Sequence, residues 1–210
     1  MSSLYLSLEP GVLPGLIRIL RLGAVRRLEV VGTPDDVLLD PDDPCSAEFV
    51  LALKDCRLTA LSLAFVGLWV AGGAGVLSAV TRHPTLRSME LTHENFEDDD
   101  DNLAAIGAAM RELIAADSPA LSGLSLDCGS LGDDDLQGVV DALRLNTRLE
   151  DLTLYYSVAT VCDSFSRRVL LPAVRANTGL RRLSCVSIEG DGPQPRAVVD
   201  AMKLVSARAR

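Results

Sequence analysis

Two histidines, five cysteines and several acidic runs are the side chains whose types and spacing could do chemistry. His93 lies between Glu90 and Glu94, the beginning of a metal site, but a closed coordination shell needs further ligands and none stands at matching spacing. His83, directly before Pro84, reads as an ordinary turn residue. Cys45, Cys56, Cys128, Cys162 and Cys185 are odd in number and show no C-x-x-C spacing, against both a disulfide framework and a zinc site. That pattern suits a reducing, cytoplasmic setting. Cys128 is the cysteine nearest a strand end, and Asp127 beside it raises a thiol pKa instead of activating it. There is no G-x-S-x-G, no P-loop and no G-x-G-x-x-G opening a helix, and Gly72-Gly73-Ala74-Gly75 lacks the lysine of a phosphate cradle. No Asp-x-Asp-x-Asp-Gly loop with a distal glutamate marks calcium. The expectation is a non-enzyme with no catalytic residue, no cofactor and no metal.

The acidic runs are Asp35-Asp36, Asp40 to Asp43 around Pro41, Glu97 to Asp101, and Asp133 to Asp135. All precede stretches of helical periodicity, where capping and the helix dipole favour a carboxylate by ~0.3–1 kcal/mol. Four or five consecutive acids exceed that need. If successive units stack in register, the runs fall on one rim and form a negative edge able to steer a basic partner.

Composition narrows the classes further. In 210 residues the hydrophobic share is 48% and the charged share 23%, which excludes global disorder. With aromatics at 4%, the core is built from Leu, Val, Ala and Ile. A formal charge of −9 opposes nucleic-acid backbone binding and a basic membrane-surface role. The first residues lack the basic region and cleavage site of a signal peptide. Apolar stretches such as Val12 to Leu22 are interrupted, here by Pro14, Arg18 and Arg21, so no bilayer span is expected. Only Lys54 and Lys203 are lysines. A GC-rich genome explains that bias; avoidance of ubiquitination beside a ubiquitin ligase is the sharper alternative.

The elements that position all these residues are set by a repeat. Leu-x-x-Leu-x-Leu occurs at Leu58-Leu61-Leu63, Leu121-Leu124-Leu126 and Leu149-Leu152-Leu154, with near-copies at Leu86-Met89-Leu91 and Val25-Leu28-Val30. Leu180-Leu183-Cys185 is a degraded copy and Met1-Leu4-Leu6 a first one, so units begin at intervals of 24 to 35 residues. Helical periodicity follows each copy: Phe49-Ala52-Leu53-Cys56, then Leu103, Ile106, Met110, Leu113 and Ile114, then Leu136-Val139-Val140-Leu143. Gly72, Gly73 and Gly75 predict a short or frayed helix near Leu77 and Val80. Pro172 predicts a kinked or shortened helix after Phe165 and Val169. A strand plus a helix cannot bury its own apolar face, so the units must stack, with strands aligned in parallel and helices outside. Glu189 to Pro195 reads as a loop, and Val198-Ala201-Met202-Val205 as a closing helix.

These residues resemble the leucine-rich repeat family in its helix-bearing, ribonuclease-inhibitor-like form. Asn146-Thr147-Arg148-Leu149 and Asn177-Thr178-Gly179-Leu180 carry the subtype's unit ends, and His83-Pro84-Thr85-Leu86 is a variant of the same turn. The resemblance implies an α/β horseshoe solenoid with a parallel sheet on the concave face and helices on the convex face. It covers residues 58–188 firmly and 1–57 weakly, giving one domain over 1–210: irregular N-terminal repeats 1–57, core repeats 58–188, and a capping loop and helix 189–210. Where the family places Asn or Cys after the third strand leucine, this chain has Val66, Glu94, Gly129 and Ser157, so its usual asparagine ladder is absent and the loops must be held another way.

In such strands the leucines enter the core and the intervening residues line the concave face. Residues expected to meet a partner there are Tyr5, Arg26, Arg27, Glu29, Arg87, Glu90, Asp127, Glu150, Asp151, Tyr155, Arg181 and Arg182, with Tyr156 as a third aromatic anchor. Any one of them also fits a solvated sheet residue, and Arg26–Glu29, or Arg181 and Arg182 with Glu150 and Asp151, can pair internally. The resemblance implies a protein-binding module acting through this face and the acidic rim, on a basic protein partner, without nucleic acid or membrane. The alternative is a substrate-selecting adaptor of a ubiquitin-ligase or other regulatory complex. The Ala, Arg and Asp richness is also compatible with a bacterial effector delivered into a host cytosol.

Overall fold

The computed structural model describes residues 2–7, 11–32, 37–40, 43–64, 67–68, 70–92, 100–157, 161–188 and 194–209. All seven copies of the leucine pattern supply a strand, and those strands form one parallel sheet: β1 (Ser3–Ser7), β2 (Arg27–Val31), β4 (Ala60–Ala64), β6 (Ser88–Thr92), β7 (Gly123–Asp127), β8 (Asp151–Tyr156) and β9 (Arg182–Ser187), neighbours in that order. Register keeps like on like. Leu28, Leu61, Met89, Leu124, Leu152 and Leu183 lie opposite one another, as do Val30, Leu63, Leu91, Leu126, Leu154 and Cys185. All twelve are buried. A one-residue slip in any strand would turn its whole apolar set to solvent, so the repeat spacing itself fixes the pairing.

Helices return the chain on the other face: α1 (Val12–Leu22), α2 (Pro44–Asp55), α3 (Val70–Val80), α4 (Asp100–Ala115) and α5 (Asp133–Ala142), each packed on the next. Because a helix is about 10 Å across and strands are about 4.8 Å apart, the layers cannot stay flat, and the sheet takes the inner side. The architecture is a leucine-rich repeat solenoid. A second, two-stranded parallel ladder, β3 (Val37–Leu39) with β5 (Gly67–Leu68), ties two of the strand-to-helix connections together.

Two helices depart from expectation. The glycine-rich α3 runs 11 residues and is not a stub. A Cβ on Gly72 would stand 2.7 Å from Leu39 Cβ, so the glycine that weakens the helix also lets it close on the buried Leu39. Past Pro172 the helix neither breaks nor ends. A short α6 (Asp163–Phe165) passes into a π-helical turn, Ser166–Leu170, and then into α7 (Leu171–Ala176). Pro172 lies in the first turn of α7, and the wider turn before it absorbs the amide that proline lacks. Finally α8 (Arg196–Arg208) buries Ala197, Val198, Ala201 and Val205 and packs against β9.

An asparagine ladder does exist, on the opposite side from the family's usual one, at the helix-to-strand turns. Asn146 Nδ2 donates to Ile114 O at 2.7 Å, and its Oδ1 accepts from the amides of Arg148 and Leu149. Asn177 Nδ2 donates to Leu143 O and Asn146 O, both at 2.7 Å, and its Oδ1 accepts from Leu180 N. His83 is the third rung. It is 3% exposed, Nδ1 accepts from the amides of Thr85 and Leu86, and Nε2 faces the Cys56 thiol at 3.6 Å. The expectation of an ordinary turn residue is therefore corrected: an imidazole does here what an amide does in later units.

That substitution makes the turn pH-sensitive. Burial pushes the His83 pKa below its ordinary value, against the opposing pull of the Leu53 and Cys56 carbonyls. A depressed folded-state pKa means that unfolding takes up a proton, so this rung's contribution is complete above about pH 6.5 and is lost as pH falls through the folded value. We predict a urea midpoint that drops between pH 7.5 and pH 5 by an amount worth about 1 kcal/mol, and that His83→Asn removes this part of the drop while keeping the fold. An unchanged pH profile in His83→Asn would show that another group is responsible.

Candidate functional site

Alternation along the strands delivers one row of side chains per unit to the concave face. Nearest β1 stand Tyr5, Arg26, Arg27 and Glu29; Arg87 and Glu90 lie in the middle; Glu150, Asp151, Tyr155, Arg181 and Arg182 lie towards β9. Between the ends the floor is made of small residues: Ala60, Ser62, Ser88, Gly123 and Ser125 line a trough of about 510 Å³. It is bordered by Tyr5, Arg27 and Glu29 on one side and by Asp151 and Thr153 on the other. It crosses six strands, about 24 Å at about 4.8 Å per strand.

Three expected contact residues have different roles. Tyr156 is 1% exposed: β8 carries Leu152, Leu154 and Tyr156 on its inward face, so the ring belongs to the core and is no anchor. Asp127 is on the concave side by parity, but it is 7% exposed and its Oδ1 accepts from Gly129 N at 2.8 Å, shaping the turn that leaves β7. Arg26 does not reach Glu29; Nη1 donates to Arg57 O at 2.8 Å and links two units. Arg182 and Asp151 pair with each other across β8 and β9, an exposed contact worth ~0–1 kcal/mol. Ser62 Oγ donates to Glu90 Oε2 at 2.8 Å, holding that carboxylate over the floor.

Negative charge lies close to Tyr155. The Tyr155 phenol is raised above its ordinary pKa, first by partial burial and then by the charges of Glu90 and Asp127. This half-buried ring therefore remains a neutral donor beside two carboxylates, a combination that receives a cationic side chain well.

The acidic segments sit at helix starts. Asp43 caps α2, accepting from Cys45 N at 2.8 Å; Asp133, Asp134 and Asp135 fill the first turn of α5; Asp100 opens α4. Parallel strands put the strand-to-helix connections on one rim, which carries the charges of Asp43 and Asp133 to Asp135. Asp35, Asp36, Asp42 and Glu97 to Asp99 lie outside the described residues, as do His93 and Glu94.

Cysteine chemistry is muted. Burial, reinforced by Asp127 and Cys185, drives the Cys128 thiol far above its usual pKa, and burial lifts Cys185 to about 12. Both stay protonated at neutral pH and are poor nucleophiles. Among the described residues no group of three or more His, Cys, Asp or Glu side chains is placed to hold a metal ion, and no helix is long and apolar enough to cross a membrane.

No family model matches the chain and no curated protein matches it. Among solved structures it is similar to leiomodin-1 actin-binding site 2, at a TM-score of 0.49 and 10% identity over 96% of this chain and 91% of that one. It is also similar to the leucine-rich repeat-containing protein LegL7 from Legionella pneumophila, at a TM-score of 0.43 and 15% identity over 100% of this chain and 73% of that one.

Proposed function

We propose that this chain is a protein-binding module whose concave trough receives a basic segment of a partner protein. The observation that carries the reading is the small-residue floor across six strands, with the Glu90 carboxylate held over its middle. A floor of serine, glycine and alanine leaves room for another backbone to approach, and about 24 Å matches a helix of about 16 residues. Tyr5, exposed at the other end, supplies an aromatic contact of the kind that dominates interface energetics. The acidic rim raises the encounter rate of a cationic partner. A helix in each outer layer supports the ribonuclease-inhibitor-like subtype, and five unpaired thiols suit a reducing compartment.

The test is quantitative binding to whatever protein the wild-type chain captures from its own cell type. Ser88→Trp fills the trough and Glu150→Lys reverses an exposed charge beside it. Each is expected to weaken binding about tenfold or more, and binding should fall as salt is raised. Arg144→Glu on the helical face serves as control. Equal binding by wild type and both trough variants, or equal loss in the control, would overturn the concave-face reading.

A further inference from the structure

The two ends of the sheet are finished differently. On β9, alternation directs the backbone groups of Cys185 and Ser187 away from β8. Gln194 Nε2 donates to Cys185 O, and α8 covers the flank. On β1 nothing comparable is present among the described residues. Ser2 O accepts from Arg26 and Arg27, so Ser2, Leu4 and Leu6 face β2 with their backbone groups, while those of Ser3, Tyr5 and Ser7 face outward. Leu4 and Leu6 are only partly buried, whereas their counterparts in the other six strands are all buried. Within Ser3–Ser7 there is no charge, proline or bulge of the kind by which exposed strands normally resist pairing.

The sequence of that edge, Ser3-Leu4-Tyr5-Leu6-Ser7, reads the same in both directions. We infer that two copies of this chain join edge to edge through β1, antiparallel and centred on Tyr5. A two-fold axis midway between Tyr5 and the partner's Tyr5 sets Ser3 opposite the partner's Ser7 and Leu4 opposite the partner's Leu6. The three residues whose backbone groups face outward fall at the doubly hydrogen-bonded positions of an antiparallel ladder. The leucines fall at the closer, non-bonded positions and meet on the core side. Such an interface is isologous, so it closes at two copies and does not propagate. A charged edge would repel itself under this symmetry; β1 carries no charge. The occupant is thus a second copy, because the same residue type meets itself at every position. Tyr5 also borders the concave trough, but the pairing rests on the β1 backbone and its test reads mass, not what the trough binds.

Sedimentation equilibrium of the full 210-residue chain over a concentration series tests it, with circular dichroism confirming that each variant is folded. Wild type is expected to rise towards twice its mass of 22.4 kDa. Ser3→Lys with Ser7→Lys places like charges opposite one another, as does Ser3→Asp with Ser7→Asp. Each double variant alone should dissociate with a constant raised about tenfold or more. Mixing the two should restore a dimer containing one of each, since lysine then faces aspartate at both positions. A wild type that stays monomeric throughout, a dimer indifferent to both double variants, or a mixture that fails to re-associate would overturn the inference.

Discussion

Asn177→Ala is expected to destabilise the fold by about 3 kcal/mol or more. The side chain is 1% exposed and ends three buried backbone groups at once: the carbonyls of Leu143 and Asn146 and the amide of Leu180. Each orphaned group costs about 1–3 kcal/mol. The loss should also be local. In a stacked array each unit is held mainly by its neighbours, and Asn177 is the stitch between the unit of β8 and the unit of β9. Hydrogen exchange should therefore show Leu180 and β9 losing protection well before β2 or β4. Thr178→Ala, exposed and next door, should stay within about 0.5 kcal/mol of wild type. Asn177→Asp should be worse than alanine, because it removes both donors and sets a buried negative charge against two carbonyls. Urea denaturation measures all three; a loss below about 1 kcal/mol for alanine would mean that the turn is held by something else.

The ladder also shows what could be read from the residues and what could not. The spacing Leu-x-x-Leu-x-Leu determined seven strands, their parallel order and their register, because burying one face of a strand leaves no freedom of slip. Asn146, Asn177 and His83 were recognisable as unit ends, each three residues before a strand leucine. The bonds they make were not, since those run to carbonyls some 30 residues earlier in the chain. Tyr156 was misplaced although strand parity already set it with Leu152 and Leu154. The trough was only half legible: alternation names the residues that face inward, but the union of small side chains from neighbouring strands into one floor depends on stacking. Pro172 announced an irregular helix without specifying a π turn, and the β3–β5 ladder had no sequence signal, being an answer to a local fit around Leu39 and to no periodic pattern.

Gly179→Ala is the second large effect expected, and its size is predicted to depend on a residue two units away. A Cβ at Gly179 would stand 2.6 Å from Thr147 O, 2.9 Å from Thr147 C and 3.0 Å from Leu149 O. These are backbone atoms of the preceding unit and cannot swing aside as a side-chain end can. In that unit the matching position is Arg148, so the turn itself tolerates a side chain; the space, and not the backbone angle, demands glycine at 179. Overpacking of this kind costs about 1–3 kcal/mol. Relief would require the Thr147 strand entry to move, and Asp117 opposes that. Its Oδ1 accepts from the amides of Thr147 and Arg148 at 2.8 and 3.0 Å, and its Oδ2 accepts from Thr147 Oγ1. Although burial acts against the charged form, these bonds and Arg148 hold the Asp117 carboxyl below its ordinary pKa, so the tether is anionic at neutral pH. In an Asp117→Ala background the entry is freed to shift, and Gly179→Ala should then cost at least about 0.5 kcal/mol less than it does in wild type. A double-mutant cycle by urea denaturation reads that coupling directly. Strictly additive losses would mean that the strain of the added methyl is taken up on the β9 side of the turn and never reaches Thr147.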